Sequence, residues 1–272
     1  MHTSAPDTLA EALRPVWEAR EQAAVFCDVD GTLSDIVPRA EDAHVPQKTA
    51  RLLASLARRY RLVACVSGRS ATDARRLVGV GSITYVGAHG AEVLDARGSY
   101  PEVLPAFETW REPVRRFSTK QDNKELRLLR IRIEDKGPIM AFHWRGAPDE
   151  SAARTRLEGV AAEAEAAGLA THWGRKVLEV RPPVPVDKGQ AIRELVRRTG
   201  VSHAVFGGDD VTDLDAFAAL DALVEGGSLT CGLKIGVSSD EGPSAIVDRA
   251  DVAVAGVPGF LQVLELLAAD PR

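Results

Sequence analysis

Short apolar runs alternate along most of the chain with stretches whose apolar residues recur at helical spacing. Residues 24–27, 62–66, 83–86, 204–206, 233–237 and 252–254 read as buried strands. Between the first two, Pro46 opens a helix with Leu52, Leu53 and Leu56 on one face. Residues 189–199 present Ile192, Leu195 and Val196 in the same way and stop at Gly200. Leu9, Leu13, Val16 and Trp17 predict a further amphipathic helix near the start. Near-continuous apolar strands separated by helices are the pattern of a parallel sheet covered on both faces.

The middle of the chain has another rhythm. Residues 126–133 and 139–144 predict adjacent strands around a turn at Asp135-Lys136-Gly137-Pro138. Residues 150–167 are rich in Ala and Glu and predict a helix, and 177–181 alternate as a half-exposed strand does. The fold class expected is therefore α/β, a doubly wound parallel-sheet (Rossmann-like) core with an inserted α+β domain. The core is expected over 1–108 and 184–272 and the insertion over 109–183, with Pro182, Pro183 and Pro185 as a stiff return.

Composition narrows the class of function. With 272 residues, 45% hydrophobic and 27% charged, the chain has the makeup of a globular protein. A net charge of −5 disfavours a general nucleic-acid or anionic-membrane surface, so an anionic partner would need a local positive site. Cys27, Cys65 and Cys231 are far apart and set in apolar runs, which predicts buried thiols in a reducing compartment. The first twenty residues lack a basic segment followed by an apolar one, and no stretch approaches the roughly 18 apolar residues of a membrane span. A cytoplasmic address is expected.

The densest chemistry is Asp28-Val29-Asp30-Gly31-Thr32-Leu33, directly after the first strand. Ligands of open α/β sheets bind beyond the carboxyl ends of the strands. Two carboxylates there crowd negative charge that a cation or proton must offset. Three later segments fall at comparable positions. Ser67-Gly68-Arg69 ends the second core strand and reads equally as a plain turn or as a hydroxyl and amides for an anion. Lys188 opens a helix, either as a solvated lysine or as a cation for phosphate charge. Gly207-Gly208-Asp209-Asp210-Val211-Thr212-Asp213 follows the strand at 204–206, and its acids suit a hard cation such as Mg2+ or a helix cap.

In this order the four segments resemble the haloacid dehalogenase superfamily of phosphotransferases. Tyr85 to Glu92 (YVGAHGAE), 133–137 (IEDKG), 142–145 (FHWR) and 174–182 (GRKVLEVRP) narrow the resemblance to the trehalose-6-phosphate phosphatases, over about residues 25–255. Gly207 stands where that family often has an apolar residue, and Leu214 where Glu is common. The resemblance implies Asp28 as nucleophile and Asp30 as general acid and then base. It implies Mg2+ on Asp28, Asp209 and the Asp30 carbonyl, with Asp210 and Asp213 ordering the metal's waters. Ser67 and Lys188 would hold phosphoryl oxygens, joined by Gly68 and Arg69. The insertion would be a cap that reads the sugar through Glu134, Lys136, Arg145 and Glu179, while His89 either borders the site or is structural. The partner expected is a small-molecule sugar phosphate, acted on by a monomer. Sucrose phosphate, a glycosyl phosphoglycerate or a pseudo-disaccharide phosphate would suit the same core, and so would a phosphosugar mutase or a non-catalytic regulatory module.

Overall fold

The computed structural model describes residues 8–37, 39, 42–174, 176–185, 187–239 and 242–269. Close contacts divide the chain into two compact units, residues 1–101 with 187–272, and residues 102–186. One residue of the family-like segments, Arg175, lies outside the described residues.

The larger unit is built on strands β1 (Ala23–Cys27), β2 (Leu62–Val66), β3 (Thr84–Gly87) and β4 (Glu92–Leu94), with β10 (His203–Gly208), β11 (Cys231–Ser238) and β12 (Val252–Ala255) returning later in the chain, while β5 (Glu102–Val103) opens the smaller unit. The order in the larger unit is β12-β11-β10-β1-β2-β3-β4. Every pairing from β12 to β3 is parallel, and β4 runs antiparallel to β3. The chain winds outward from β1 through β2 and β3, then restarts at β10 on the other side of β1. That switch point lies where Asp28 and Asp209 leave their strands, the place where open sheets of this kind form a crevice.

Alternate residues of β1 serve two cores. Ala23, Val25 and Cys27 join Val63, Cys65, Val205 and Ile235 beneath helices α1 (Leu9–Glu18), α2 (Gln47–Leu56), α3 (Ala71–Val78) and α10 (Gly256–Ala268). Phe26 and Phe206 are also fully buried, and Phe206 meets Phe217 edge-on at 6.0 Å on α8 (Asp213–Glu225), which packs closely on α7 (Lys188–Thr199). Burial on both faces explains the unbroken apolar strands. Gly200 ends α7 at φ 65°, and the Thr8 capping box opens α1.

In the smaller unit, β6 (Arg132–Asp135), β7 (Met140–His143), β9 (Val177–Arg181) and β8 (Ala170–Gly174) form an antiparallel sheet in the order β6-β7-β9-β8. One face carries Met140, Phe142, Leu178 and Val180 into a core with α4 (Pro105–Gln121) and α6 (Glu150–Ala166). The strand expected over 126–133 is corrected: Lys124–Leu128 is a helix, α5, and the strand begins only at Arg132. Asn123 caps that helix by accepting from the amides of Glu125 and Leu126, a local bond that outweighs the apolar run. No helix of the described residues is long and apolar enough to cross a membrane.

Candidate active site

The ends of β1, β2 and β10 converge on a group of buried charges. Asp28 follows β1 directly, is 4% exposed, and its amide donates to the Gly207 carbonyl at 2.8 Å, which ties it to the end of β10. Lys188, at the first position of α7, is 3% exposed, and its Nζ donates to Asp28 Oδ1 at 2.6 Å and Asp213 Oδ1 at 2.7 Å. Asp213 Oδ2 accepts from the amides of Asp209 and Asp210, both at 3.0 Å. Both Asp213 oxygens are therefore committed to holding neighbours. Thr32 Oγ1 donates to Asp209 Oδ1 at 3.3 Å. Gly31, at φ 91°, lies so near the Asp209 carboxylate that a Cβ there would overlap it.

Burial pushes Asp28 well above the usual carboxylate range; the Lys188 charge opposes this, and the neighbouring Asp213 and Asp209 add to it. Asp209 is pushed up to about 7, by burial first and then by Asp213. Burial would lower Lys188, yet Asp213 and Asp28 together raise it, so the amine stays charged. Three buried carboxylates therefore share one buried cation. Oxygen ligands of Asp28, Asp209 and Asp213 lie within 4.8 Å of one another, a donor set and charge excess that fit a hard divalent cation such as Mg2+. Asp213 enters this cluster on geometry, although its bonds to Lys188 and two amides make it the member that orients the others. Asp210 is exposed, and its Oδ1 accepts from the Val211 amide at 2.7 Å.

On the other side of Asp28, the Ser67 amide donates to the Val86 carbonyl at 2.9 Å and Ser67 Oγ accepts from the Arg69 amide at 3.1 Å. Arg69 grips Asp30 with two bonds, Nε to Oδ2 at 2.7 Å and Nη2 to Oδ1 at 2.6 Å. The His89 ring packs where a side chain on Gly68 would start, which places it behind the loop. Asp28, Asp30, Ser67, Gly68, Arg69, Lys188, Asp209 and Asp213 thus belong to one unit, where hydrogen bonds join Asp28, Lys188, Asp213 and Asp209 in one group and Asp30, Arg69 and Ser67 in another.

The other candidates lie in the smaller unit. Register sets Glu134 opposite Ala141, Ala141 opposite Glu179 and Glu179 opposite His172, so these residues cross one face of its sheet in a row. Lys136 Nζ donates to Glu179 Oε1 at 3.0 Å, and Arg181 pairs with Glu179 Oε2. His143 Nε2 lies 2.6 Å from Glu134 Oε2. Burial acts to raise Glu134, but the His143 hydrogen bond and the Lys136 charge outweigh it and leave it lowered. Arg145 is exposed in the turn after β7, and its charge is felt by Glu150. Arg181 and His143 escaped the sequence reading, although period-two spacing from Glu179 places the first on the same face.

Known proteins resemble most of this chain. The family model described as trehalose-phosphatase matches residues 26–255. A trehalose-phosphate phosphatase of Mycobacterium avium is 38% identical over 207 residues, 72% of this chain and 51% of its own. A protein of Mycobacterium tuberculosis named as an uncharacterized glycosyl hydrolase is 34% identical over 204 residues, 72% of this chain and 15% of its own. The chain thus spans about half the length of the first relative, and much less of the second. Among solved structures, a trehalose-6-phosphate phosphatase related protein superposes with a TM-score of 0.67 at 25% identity, covering 90% of this chain and 96% of the other. The C-terminal domain of Candida albicans trehalose-6-phosphate phosphatase superposes at 0.70 with 20% identity, covering 98% and 99%, and attests the fold. On the extent of the family match, the chain belongs to the trehalose-phosphatase family.

Proposed function

We propose that this protein hydrolyses trehalose 6-phosphate to trehalose and phosphate through an aspartyl phosphate on Asp28. The observation that carries this reading is the buried Asp28 carboxylate, held at 2.6 Å by Lys188 beside Asp209 at the switch point of the sheet. In the first step an Asp28 oxygen attacks phosphorus, the bond from phosphorus to the sugar oxygen breaks, and Asp30 gives that oxygen a proton. In the second, Asp30 takes a proton from water as the water attacks phosphorus, which frees phosphate and restores Asp28. Lys188 and Ser67 hold the phosphoryl oxygens. Arg69 occupies both Asp30 oxygens, so for Asp30 to reach the sugar oxygen Arg69 must exchange it for the incoming phosphoryl group. A bound Mg2+ on the carboxylates of Asp28 and Asp209 and the carbonyl of Asp30 would offset the repulsion between carboxylate and phosphate. Asp209→Asn is expected to raise the Mg2+ concentration giving half-maximal activity on the order of 10–100-fold. Titrating metal back into chelator-treated enzyme measures this, and an unchanged midpoint excludes Asp209 as a ligand.

We assign sugar recognition to the polar sheet face of the smaller unit, with Glu134, Lys136 and Glu179 as its centre and Arg145 at its margin. Glutamate and lysine side chains together offer acceptors and donors to several hydroxyls. Glu179→Ala should reduce kcat/KM for trehalose 6-phosphate by about ten- to a hundredfold, the loss of a charged hydrogen bond of roughly 1.5–3 kcal/mol. Turnover of a small aryl phosphate, which lacks the sugar, should change by less than about threefold. Equal losses on both substrates would remove the sugar assignment. Running sucrose phosphate and glycosyl phosphoglycerates beside trehalose 6-phosphate tests the choice of sugar.

A further inference from the structure

The segment from β3 to β4 supports the Ser67 loop from behind. After β3 the backbone turns through Ala88 at φ 49° and His89 at φ 57°, a left-handed conformation that costs energy for residues with a Cβ. The turn aims two amides at the loop: Ala88 donates to the Arg69 carbonyl at 2.7 Å, and His89 to the Ser67 carbonyl at 3.0 Å. Three residues after His89 comes Glu92, 4% exposed, the first residue of β4. Its Oε1 accepts from the amide of Ala71 at 2.6 Å. Ala71 is the first residue of α3, and Ser70, the cap of that helix, spends its side chain on the amide of Asp73 instead. Glu92 therefore satisfies the leading amide of α3, and it fixes the downstream end of the five-residue span from Ser67 to Ala71. The two backbone bonds fix its middle and start. A buried carboxylate is costly to keep, and a helix N-terminus alone would accept water or a neutral cap.

We infer that Glu92 is a positioning residue for phosphoryl binding: its carboxylate length, anchored on β4, sets where the Ser67 hydroxyl stands. This rests on the proposed role of Ser67 as a ligand of the phosphoryl group. Glu92 itself touches neither substrate nor the reacting atoms. Displacing a binding loop by about an ångström is enough to cost on the order of a hundredfold.

The test uses the full chain with Mg2+, an aryl phosphate as substrate and inorganic phosphate as competitive inhibitor. Glu92→Ala removes the acceptor, and Glu92→Asp keeps the charge but withdraws it by one methylene. Both are expected to raise the inhibition constant for phosphate on the order of 10–100-fold. Glu92→Gln keeps an acceptor at the same reach and is expected to restore most of that affinity. If the alanine variant fails to fold, the contrast between Asp and Gln carries the same information. A cycle with Ser67→Ala separates positioning from general damage. Adding Glu92→Ala to Ser67→Ala should weaken phosphate by less than about threefold more, because the hydroxyl it positions is already gone. Phosphate affinity unchanged in Glu92→Ala and Glu92→Asp would overturn the inference, and so would losses that multiply in the double variant. If Ser67→Ala alone leaves phosphate affinity intact, the reading of Ser67 fails first, and the two failures are thereby distinguished.

Discussion

Asp28→Asn is expected to fold, bind metal weakly and turn over substrate on the order of a million-fold more slowly than the parent, the scale reached when a hydrolase loses its nucleophile. The amide is nearly isosteric with the carboxylate, so the packing of Asp28 between β10 and Lys188 is retained. The amide nitrogen has no lone pair free to attack phosphorus, and its oxygen carries far less charge than a carboxylate oxygen. Lys188 also loses one of its two anionic partners, the 2.6 Å bond to Asp28, and retains Asp213 at 2.7 Å. Loss of the nucleophile should abolish both activities together, on trehalose 6-phosphate and on an aryl phosphate. That separates it from Glu179→Ala, which should spare the aryl substrate. The check is phosphate release by a sample shown by mass spectrometry to be free of deamidation at residue 28. Turnover within a hundredfold of the parent would show that another group attacks phosphorus. Asp30, two residues on, is then an alternative carboxylate, though its two bonds to Arg69 leave it poorly placed to attack.

Where the sequence was legible, one physical constraint acted alone. Strands buried on both faces must be apolar throughout, so β1, β2 and β10 stand out, and with them the switch point that holds Asp28 and Asp209. The sequence was less legible where two constraints competed. Leu126, Leu128 and Leu129 read as a strand by apolar content, but the cap at Asn123 turns them into a helical turn, with Leu126 buried and Leu128 exposed. Roles that depend on which oxygen meets which donor were not legible at all. Asp213 has the sequence of a helix cap or a ligand for the metal's waters. Only the geometry shows its two oxygens divided between Lys188 and a pair of amides. Glu92 lies inside a family-like motif with nothing in its neighbours to connect it with Ala71, which is twenty-one residues earlier. Arg145 shows the converse: the motif includes it, but the strand ends before it and leaves it outside the row of polar residues.

Lys188→Met should be the most destabilising single change in the core, and metal should correct it. Lys188 is the buried cation shared by Asp28 and Asp213, and all three side chains are nearly inaccessible to water. Methionine fills much of the same volume, so the loss is electrostatic. Removing one partner of a buried ion pair costs roughly 3–5 kcal/mol, because the charges left behind keep their desolvation penalty. For a chain of this size that corresponds to a fall in Tm on the order of 10 °C. The pH dependence has a definite sign. Burial already raises Asp28 and Asp209 above their unfolded values, and loss of the amine raises them further. A carboxylate whose folded pKa is raised favours the folded state when protonated, so the variant's deficit should be small below the usual carboxylate range. It should grow as the pH rises through the folded values, past about 7 for Asp209. A divalent cation supplies the missing positive charge, so Mg2+ should raise the Tm of Lys188→Met by more than it raises that of the parent. Turnover should stay low even at saturating Mg2+, since the metal replaces the charge of the amine but not its hydrogen bonds to the phosphoryl group. Calorimetry across pH, with and without Mg2+, measures all of this on one sample. A deficit that does not vary with pH and does not respond to Mg2+ would mean that Lys188 stabilises the core by packing, and that the three carboxylates do not depend on its charge.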